Sequence, residues 1–150
     1  MTQEEHRNIG LVQTLYEAVL NQKDLSVLPA LVGQTVLLHP SEERGPEAYA
    51  ALIANLHRAF SGQHFTLEDL IATGDRVVAR WVMHAVHSGP LNGIPATGKR
   101  VKQTGTVIYR IEAGKIVEMW PEIDRMGMLR QLGIDPLAAV SAGQPQSATA

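Results

Sequence analysis

The sequence predicts an α+β fold, in which helices cover the concave face of a curved antiparallel sheet and enclose a pocket. In the first 60 residues, apolar side chains recur at the three- and four-residue spacing of amphipathic helices. From residue 63 to residue 123, β-rich segments alternate with glycine-containing turns, as expected of consecutive strands. A chain of 150 residues fits one domain, which we place at residues 1–140. A strongly bent sheet of this kind gives a cone-shaped α+β barrel around its pocket.

The front half of the chain is predicted to contain three helices and one strand. Pro46 suits the first turn of the third helix, because the missing proline N–H has no helical partner there. Gly33 suits the position after the second helix, where a left-handed backbone commonly ends a helix. The predicted bounds are residues 4–22, 25–32 and 46–60 for the helices and residues 34–39 for the strand.

The second half is predicted to form four more strands and a short closing helix. Gly114 lies in the turn before the last strand, where a tight hairpin favours positive φ. A loop rich in glycine and proline spans residues 88–98, between the two longest strands. The predicted strands cover residues 65–71, 76–88, 100–111 and 116–123, and the helix covers residues 125–132. Residues 141–150 lack large apolar side chains and are expected to form a disordered tail.

Composition and charge exclude several functional classes. The chain has no cysteine, which removes disulfides, thiolate nucleophiles and cysteine-based metal sites. Its net charge is −2, with 13 basic and 15 acidic residues and no basic stripe, so we expect no nucleic-acid partner. No apolar run approaches the roughly 20 residues that span a bilayer, and the polar N-terminus is unlike a signal peptide. The six histidines lack metal-ligand spacing. We therefore expect a cytoplasmic protein without a membrane partner, metal or cofactor.

Several short motifs occur in a characteristic order in the second half of the chain. They are Gly74-Asp75-Arg76-Val77, Arg80-Trp81, His87-Ser88-Gly89, the loop from Gly93 to Lys99, Tyr109-Arg110-Ile111, the segment from Gly114 to Glu118, Trp120, and the closing pattern from Asp124 to Gly133. With these motifs the chain resembles the SnoaL-like polyketide cyclases and ester cyclases. That family belongs to the wider fold of nuclear transport factor 2, ketosteroid isomerase and limonene epoxide hydrolase. The front half matches more loosely, through His39-Pro40 and Gly45-Pro46-Glu47.

The resemblance implies a cofactor-free enzyme of the lyase or isomerase class that acts on a small apolar carbonyl compound. In these cyclases, an aspartate at the position of Asp124 acts as general acid/base in an intramolecular aldol closure. The resemblance also implies a homodimer. Two positions depart from the family pattern: Ala96 stands where a second proline is common, and Met119 stands where a histidine often precedes the tryptophan.

Asp124 is the main candidate for chemistry, and two roles fit its position. It follows the last predicted strand and precedes the closing helix, where aspartate is a favoured N-cap. The resemblance implies instead a base that removes a proton from a carbon flanked by carbonyl groups. One residue can perform both roles.

The last strand carries a row of functional side chains at two-residue spacing, which places them on one face: Glu118, Trp120, Glu122 and Asp124. Three carboxylates on a buried face would be costly, so either part of the row leaves the pocket or a bulge interrupts it. Pro121 is a natural place for an interruption. We expect Trp120 and Asp124 to reach the pocket and Glu118 to lie at the surface, and we leave Glu122 open.

Aromatic and histidine side chains complete the candidate site. Trp81 lies on the more apolar face of a long strand, where plain core packing is the competing interpretation. His87 ends that strand and would bond either a substrate carbonyl or the loop backbone. His39 ends the first strand and is either a partner of Asp124 or bonded to the following turn. The predicted catalytic residues are Asp124 and His39, and the predicted substrate-binding residues are Tyr16, Phe60, Trp81, His87, Trp120 and Glu122.

Three functions fit these residues. The first is cofactor-free acid/base catalysis on a small apolar carbonyl compound, by intramolecular aldol closure or a related proton transfer. The second is hydration on the same scaffold, as in limonene epoxide hydrolase, which needs Glu122 and Asp124 to face inward and hold a water. The third is a non-catalytic dimeric module that binds a small ligand, since a fold alone does not determine function.

Overall fold

The computed structural model describes residues 1–137, so the tail predicted at residues 141–150 lies outside the described residues. Four α-helices and five strands make up the fold, with a π-helical segment and a 3₁₀ turn between the first two helices. In chain order the elements are α1 (Gln3–Thr14), the π segment (Leu15–Asn21), the 3₁₀ turn (Leu25–Val27), α2 (Leu28–Leu31), β1 (Val32–Leu38), α3 (Pro46–Ala59), β2 (Phe60–Thr73), β3 (Arg76–His87), β4 (Arg100–Glu112), β5 (Lys115–Ile123) and α4 (Arg125–Gln131).

The five strands form one open sheet in the order β1-β5-β4-β3-β2. Strands β2 to β5 pair antiparallel with their neighbours in the chain, whereas β1 pairs parallel with β5. The predicted α+β class, with a curved sheet and helices, is confirmed. The sheet differs from the prediction in being antiparallel only over four strands. Parallel partners need a long crossover, and the helix and three strands between β1 and β5 provide one.

The front half keeps the predicted order of elements but differs in three details. The helix predicted at residues 4–22 is α1 followed by the π segment, which apolar spacing does not distinguish from an α-helix. Gly33 lies inside β1 and does not end a helix. The start of α1 is a capping box, in which Thr2 Oγ1 accepts the Glu5 N–H and Glu5 Oε1 accepts the Thr2 N–H.

Phe60 begins β2, although it was predicted to end the third helix. Helix α3 ends at Ala59, and the Phe60 backbone is extended, with φ −127° and ψ 130°. The Ala59 carbonyl accepts two N–H groups from the loop after β3, and the one from Gly89 is 3.0 Å away. A Cβ at Gly89 would overlap the Arg58 carbonyl, so only glycine allows the loop to approach this closely. The loop therefore holds the helix end, and the chain turns into the sheet one residue later.

One face of the sheet is packed and the other is open. Along β3, every second residue from Val77 to His87 is buried, and the residues between them are half-buried or exposed. Strand β4 alternates in the same way over most of its length, and α1, the π segment and α3 contact the sheet. We call the packed side the inner face and the opposite side the outer face. Within residues 1–137, no helix has both the length and the apolar character needed to cross a membrane.

Candidate active site

Aromatic side chains occupy the centre of the inner face. Trp81 packs edge-on against Phe65 with ring centroids 5.0 Å apart, and Phe65 meets Tyr16 in the same manner at 5.9 Å. Gly105 pairs with Trp81 across β3 and β4, and a Cβ at this glycine would overlap the indole ring. The missing side chain on Gly105 lets Trp81 lie over β4. The structure thus brings together Tyr16 and Trp81, two of the predicted lining residues.

Tyr16 and Tyr109 form a buried pair of hydroxyl groups. Their oxygens are 2.8 Å apart, so one hydroxyl donates a hydrogen bond and the other accepts it. Burial raises the pKa of both phenols well above the ordinary value, which keeps them neutral near pH 7. Tyr16 lies in the π segment, a rare form of helix that often occurs at functional sites. Tyr109 was not among the predicted site residues.

His87 is a buried hydrogen-bond donor at the end of β3. Its side chain is 0% exposed on the inner face, beside the Phe60 ring. Its Nδ1 accepts the backbone N–H of Thr97 at 3.2 Å and lies 3.0 Å from the Thr97 hydroxyl. Since a nitrogen that accepts a backbone N–H carries no proton, Nε2 of the neutral ring carries it. Nε2 is buried and has no hydrogen-bond partner in the described structure.

Gln63 is a second buried polar residue on the inner face, and it was not among the predicted site residues. The pairing of β2 with β3 is irregular between Ser61 and His64, with one extra residue on β2. Gly62 adopts φ +59° within this bulge. Gln63 is only 5% exposed, whereas its two neighbours in the chain, Gly62 and His64, are exposed. Neither Oε1 nor Nε2 of Gln63 has a partner in the described structure. Leaving a buried polar group unpaired costs about 1–3 kcal/mol, so these atoms call for an explanation.

Asp124 caps α4 and is exposed to solvent. Its Oδ1 accepts the Gly127 N–H at 2.9 Å, and its backbone N–H bonds the Thr104 carbonyl at 3.0 Å. A Cβ at residue 127 would overlap the Asp124 carboxylate, so glycine permits this cap. The N-cap role that the sequence allowed is therefore present. Strand β5 runs in the same direction as β3 but stops earlier: the register places Asp124 level with Thr104 and Val82, five residues before His87, which is roughly 16 Å along the strand.

His39 lies on the outer face and does not contact Asp124. Its Nε2 is 2.7 Å from Glu118 Oε2, and Arg110 Nε is 3.1 Å from Glu118 Oε1. The hydrogen bond from His39 has the largest effect and lowers the pKa of the Glu118 carboxyl; burial opposes it, and the hydrogen bond and charge of Arg110 lower the pKa further. Neither of the two sequence interpretations of His39 included this partner. The placement removes His39 from the inner face and gives it a role in linking β1 to β5.

Trp120 and Glu122 also lie on the outer face, which corrects the expectation that Trp120 reaches the pocket. The Trp120 ring stacks on His39 at 5.3 Å, and Arg76 Cζ lies 4.9 Å from its centroid. Glu122 is exposed. The row continues without a break at Pro121, because β1 pairs with β5 only as far as Met119 and the missing N–H faces no strand. Strict alternation therefore directs Glu118, Trp120 and Glu122 outward, whereas Asp124 follows the strand as the N-cap of α4.

Two grooves border α1. One, of about 420 Å³, lies between α1 and the turn after β4. The other, of about 400 Å³, lies between the π segment and the edge strand β2, and Tyr16 and Phe65 are among its lining residues. Both of these aromatic side chains are buried, so the groove runs beside the aromatic centre of the inner face. Among residues 1–137, no cluster of three or more histidine and carboxylate side chains is arranged to hold a metal.

Fold and site together define a small α+β protein with an aromatic inner face, neutral hydrogen-bond donors and a carboxylate at one end of the sheet. The description "SnoaL-like polyketide cyclase" belongs to the family profile that matches residues 10–132. The chain is 40% identical over 132 residues to aklanonic acid methyl ester cyclase DnrD from Streptomyces peucetius, covering 83% of this chain and 90% of that protein. This protein belongs to the SnoaL-like polyketide cyclase family.

Two further similarities agree with this assignment. Aklanonic acid methyl ester cyclase DauD from Streptomyces sp. strain C5 is 36% identical over 132 residues, which cover 83% of this chain and 81% of DauD. The structure of TsrD from Streptomyces laurentii superposes with a TM-score of 0.76 at 34% identity, and the match covers 83% of this chain and 96% of TsrD. The resemblance stated from the motifs is confirmed.

Proposed function

We propose that this protein is a cofactor-independent cyclase that closes a ring in a small polyketide ester by an intramolecular aldol reaction. The observation that carries the proposal is the buried Nε2–H of His87, a neutral donor without a partner on an aromatic inner face. The identity of 40% to a methyl ester cyclase supports the reaction class. We expect the substrate to be the methyl ester of a polyketide acid, and we expect the reaction to take place in the cytoplasm.

The proposed chemistry needs a base, a donor to oxygen and an apolar surface. A base removes a proton from a carbon flanked by carbonyl groups, and the enolate attacks a second carbonyl carbon within the same molecule. The new carbon–carbon bond leaves an alkoxide, which takes up a proton. A fixed N–H donor stabilises negative charge as it develops on oxygen, and His87 is suited to this because Thr97 occupies its other nitrogen. Trp81 and Phe65 offer flat apolar surfaces to the rings of the substrate.

We propose Asp124 as the acid/base, as the family resemblance implies. Its Oδ1 is engaged by Gly127, and Oδ2 has no hydrogen bond within residues 1–137. Asp124 lies at the end of β5, level with Val82 of β3, and His87 lies five residues further along β3. A substrate that reaches both residues would have to extend along the inner face, from His87 at the end of β3 to Asp124 at the rim beside β5.

The Asp124→Asn variant tests this role, because asparagine caps a helix about as well as aspartate but is not a base. We expect an unchanged melting temperature and a fall in kcat of about 10²–10⁴-fold, the usual contribution of general acid/base catalysis. Glu122→Gln is the matched control, since it removes an exposed carboxylate on the outer face and should leave turnover unchanged. Product would be followed chromatographically with aklanonic acid methyl ester as substrate. An Asp124→Asn protein with parental turnover would rule out the role.

A second candidate, a non-catalytic ligand-binding module, is favoured by one observation: Asp124 is exposed and engaged as a helix cap. The same assay separates the two candidates. A parental protein that binds the ester without converting it supports the binding module, and conversion that depends on Asp124 supports the cyclase.

Hydration on this scaffold is disfavoured by the position of Glu122. That chemistry needs Glu122 and Asp124 to hold one water inside the pocket, and Glu122 is exposed on the outer face. Its backbone pairs with Thr106, whose side chain is also directed away from the buried residues of β4. The two carboxylates are therefore not arranged to hold a buried water.

We also propose that two copies of the chain pair through the outer face of the sheet. Partly exposed apolar side chains cluster there on neighbouring strands, among them Val78, Val82, Ile108 and Trp120. A contiguous apolar patch on a soluble protein commonly marks an interface. Light scattering should give twice the chain mass of 16.3 kDa, and Val82→Glu should return it to that value. A parental protein with the mass of one chain would contradict this arrangement.

A further inference from the structure

We propose that Gln63 and His87 together form the polar recognition site for the ligand. In this site, His87 supplies one N–H donor, and Gln63 supplies a second donor and an acceptor. The inference rests on the proposed function for the location of the site. The inference goes beyond the proposed function by assigning a binding residue, Gln63, and by defining the chemistry of the group that is bound.

The two side chains are close neighbours on the inner face. His87 pairs with Phe60 across β3 and β2, and the bulge after Ser61 brings Gln63 opposite the neighbourhood of Ala85. Residues at such diagonal positions lie about 7–8 Å apart, within reach of one small functional group. Both side chains are at least nine-tenths buried, at 0% and 5% exposure. All three atoms without partners in the buried part of the described structure belong to these two residues.

The three atoms define the ligand chemistry that fits them. The His87 Nε2–H and the Gln63 Nε2–H₂ are donors, so each can bond a carbonyl or enolate oxygen. Gln63 Oε1 is an acceptor, so it can bond a hydroxyl or enol O–H. A carbonyl next to an enol or hydroxyl group presents both, as in an enolised β-keto ester or an aromatic ester with a neighbouring hydroxyl. Thr97 acts as a positioning residue, because its N–H holds His87 in the tautomer that donates from Nε2.

A structural role for Gln63 and a ligand-binding role predict opposite effects of its replacement on the stability of the protein. If water or a small rearrangement satisfies Gln63, its removal destabilises the protein. If the amide is kept unpaired for a ligand, an apolar side chain of similar size leaves stability unchanged or raises it, because no made hydrogen bond is lost. Stability and ligand affinity then move in opposite directions.

The experiment measures melting temperature and ligand affinity for Gln63→Leu and His87→Phe, with Gln34→Leu on the exposed surface of β1 as the control. The polar probe is methyl 3-hydroxy-2-naphthoate, and the apolar probe is 2-isopropenylnaphthalene, which has a similar flat shape but no oxygen. Binding would be followed by tryptophan fluorescence. We expect both site variants to bind the polar probe about five- to tenfold more weakly and the apolar probe as well as the parent. Gln63→Leu should melt no lower than the parent, because the Gln63 amide makes no hydrogen bond.

Two results would overturn the inference: a parental protein that does not prefer the polar probe, or a Gln63→Leu protein that melts lower and binds the polar probe as before. The outcome is separable from that of the proposed function. Loss of polar-probe binding in the variants of a protein that cyclises nothing sustains this inference and rejects the cyclase. If Gln63→Leu cyclises the ester at the parental rate, the cyclase is sustained and the role of Gln63 in recognition is rejected.

Discussion

On the outer face of the sheet, the partly buried Glu118 has partners on both neighbouring strands, whereas on the inner face a histidine and a glutamine have buried side-chain atoms without partners. Glu118 accepts hydrogen bonds from His39 on one side and Arg110 on the other, and Trp120 stacks against the same histidine. His87 and Gln63 lie on the same sheet, are more deeply buried, and still have three atoms without partners. Burial makes an unpaired polar group more costly, so the reverse distribution would be expected of a sheet that serves stability alone.

The contrast separates residues that maintain the fold from residues available to a ligand. The outer network closes the β1–β5 junction and would be complete without any other molecule. At the centre of the inner face the polar atoms have partners, because Tyr16 and Tyr109 bond each other, whereas at the end that carries His87 and Gln63 three side-chain atoms have none. This comparison locates the proposed chemistry more narrowly than the fold does.

The largest expected effect on stability is at the satisfied part of the inner face. Tyr109→Phe leaves the Tyr16 hydroxyl buried without a partner, so we expect a loss of about 1–3 kcal/mol in the free energy of unfolding, measured by urea denaturation. Tyr16→Phe together with Tyr109→Phe should recover most of that loss, because both polar atoms are then removed. If the double variant instead loses as much free energy of unfolding as the two single variants together, the hydrogen bond between the hydroxyl groups is not what stabilises this region.

A smaller effect is expected on the outer face. Glu118→Gln removes the ion pair with Arg110 and weakens the hydrogen bond with His39, both partly exposed, so we expect a loss of about 0.2–1 kcal/mol in the free energy of unfolding at pH 7. Turnover should be unchanged, because the side chain faces away from the inner site. A fall in kcat with little change in stability would contradict the assignment of the outer face to stability and the inner face to catalysis.

The same pair of proteins should differ in the pH dependence of stability. Because the folded structure lowers the pKa of Glu118, its contribution is present above the unfolded value of about 4.3 and is lost as pH falls through the folded pKa. The stability difference between the parent and Glu118→Gln should therefore be largest near neutral pH and should shrink in acid. Unfolding curves at several pH values test this, and a difference that grows on acidification would contradict the assigned network.

Much of the fold was predictable because strand alternation and turn residues are local signals. The pattern along β3 predicted which side chains are buried, and Trp81 and His87 lie where it placed them. The site was less predictable because it depends on relations between strands. Trp120 was expected inside, and only the short pairing of β1 with β5 shows why Pro121 does not interrupt the outward row.

Gln63 and His39 illustrate two kinds of information that a single sequence lacks. Gln63 has no motif, and its inward direction follows from a bulge whose position is set by pairing with β3. The two-residue spacing between Gln63 and Phe65 was the one available signal. His39 was weighed against its neighbours in the chain, whereas its partner Glu118 lies 79 residues away and is brought near by the parallel pairing of β1 and β5.

The protonation of His87 tests the central claim most directly. Nitrogen NMR of the histidine rings at neutral pH should show His87 neutral, with its proton on Nε2 and none on Nδ1. Addition of methyl 3-hydroxy-2-naphthoate should then shift the Nε2–H resonance, while the Nδ1 resonance, held by Thr97, changes little. A proton on Nδ1, or an Nε2–H resonance that does not respond to a saturating amount of the ester, would contradict the account of the inner face as the ligand site.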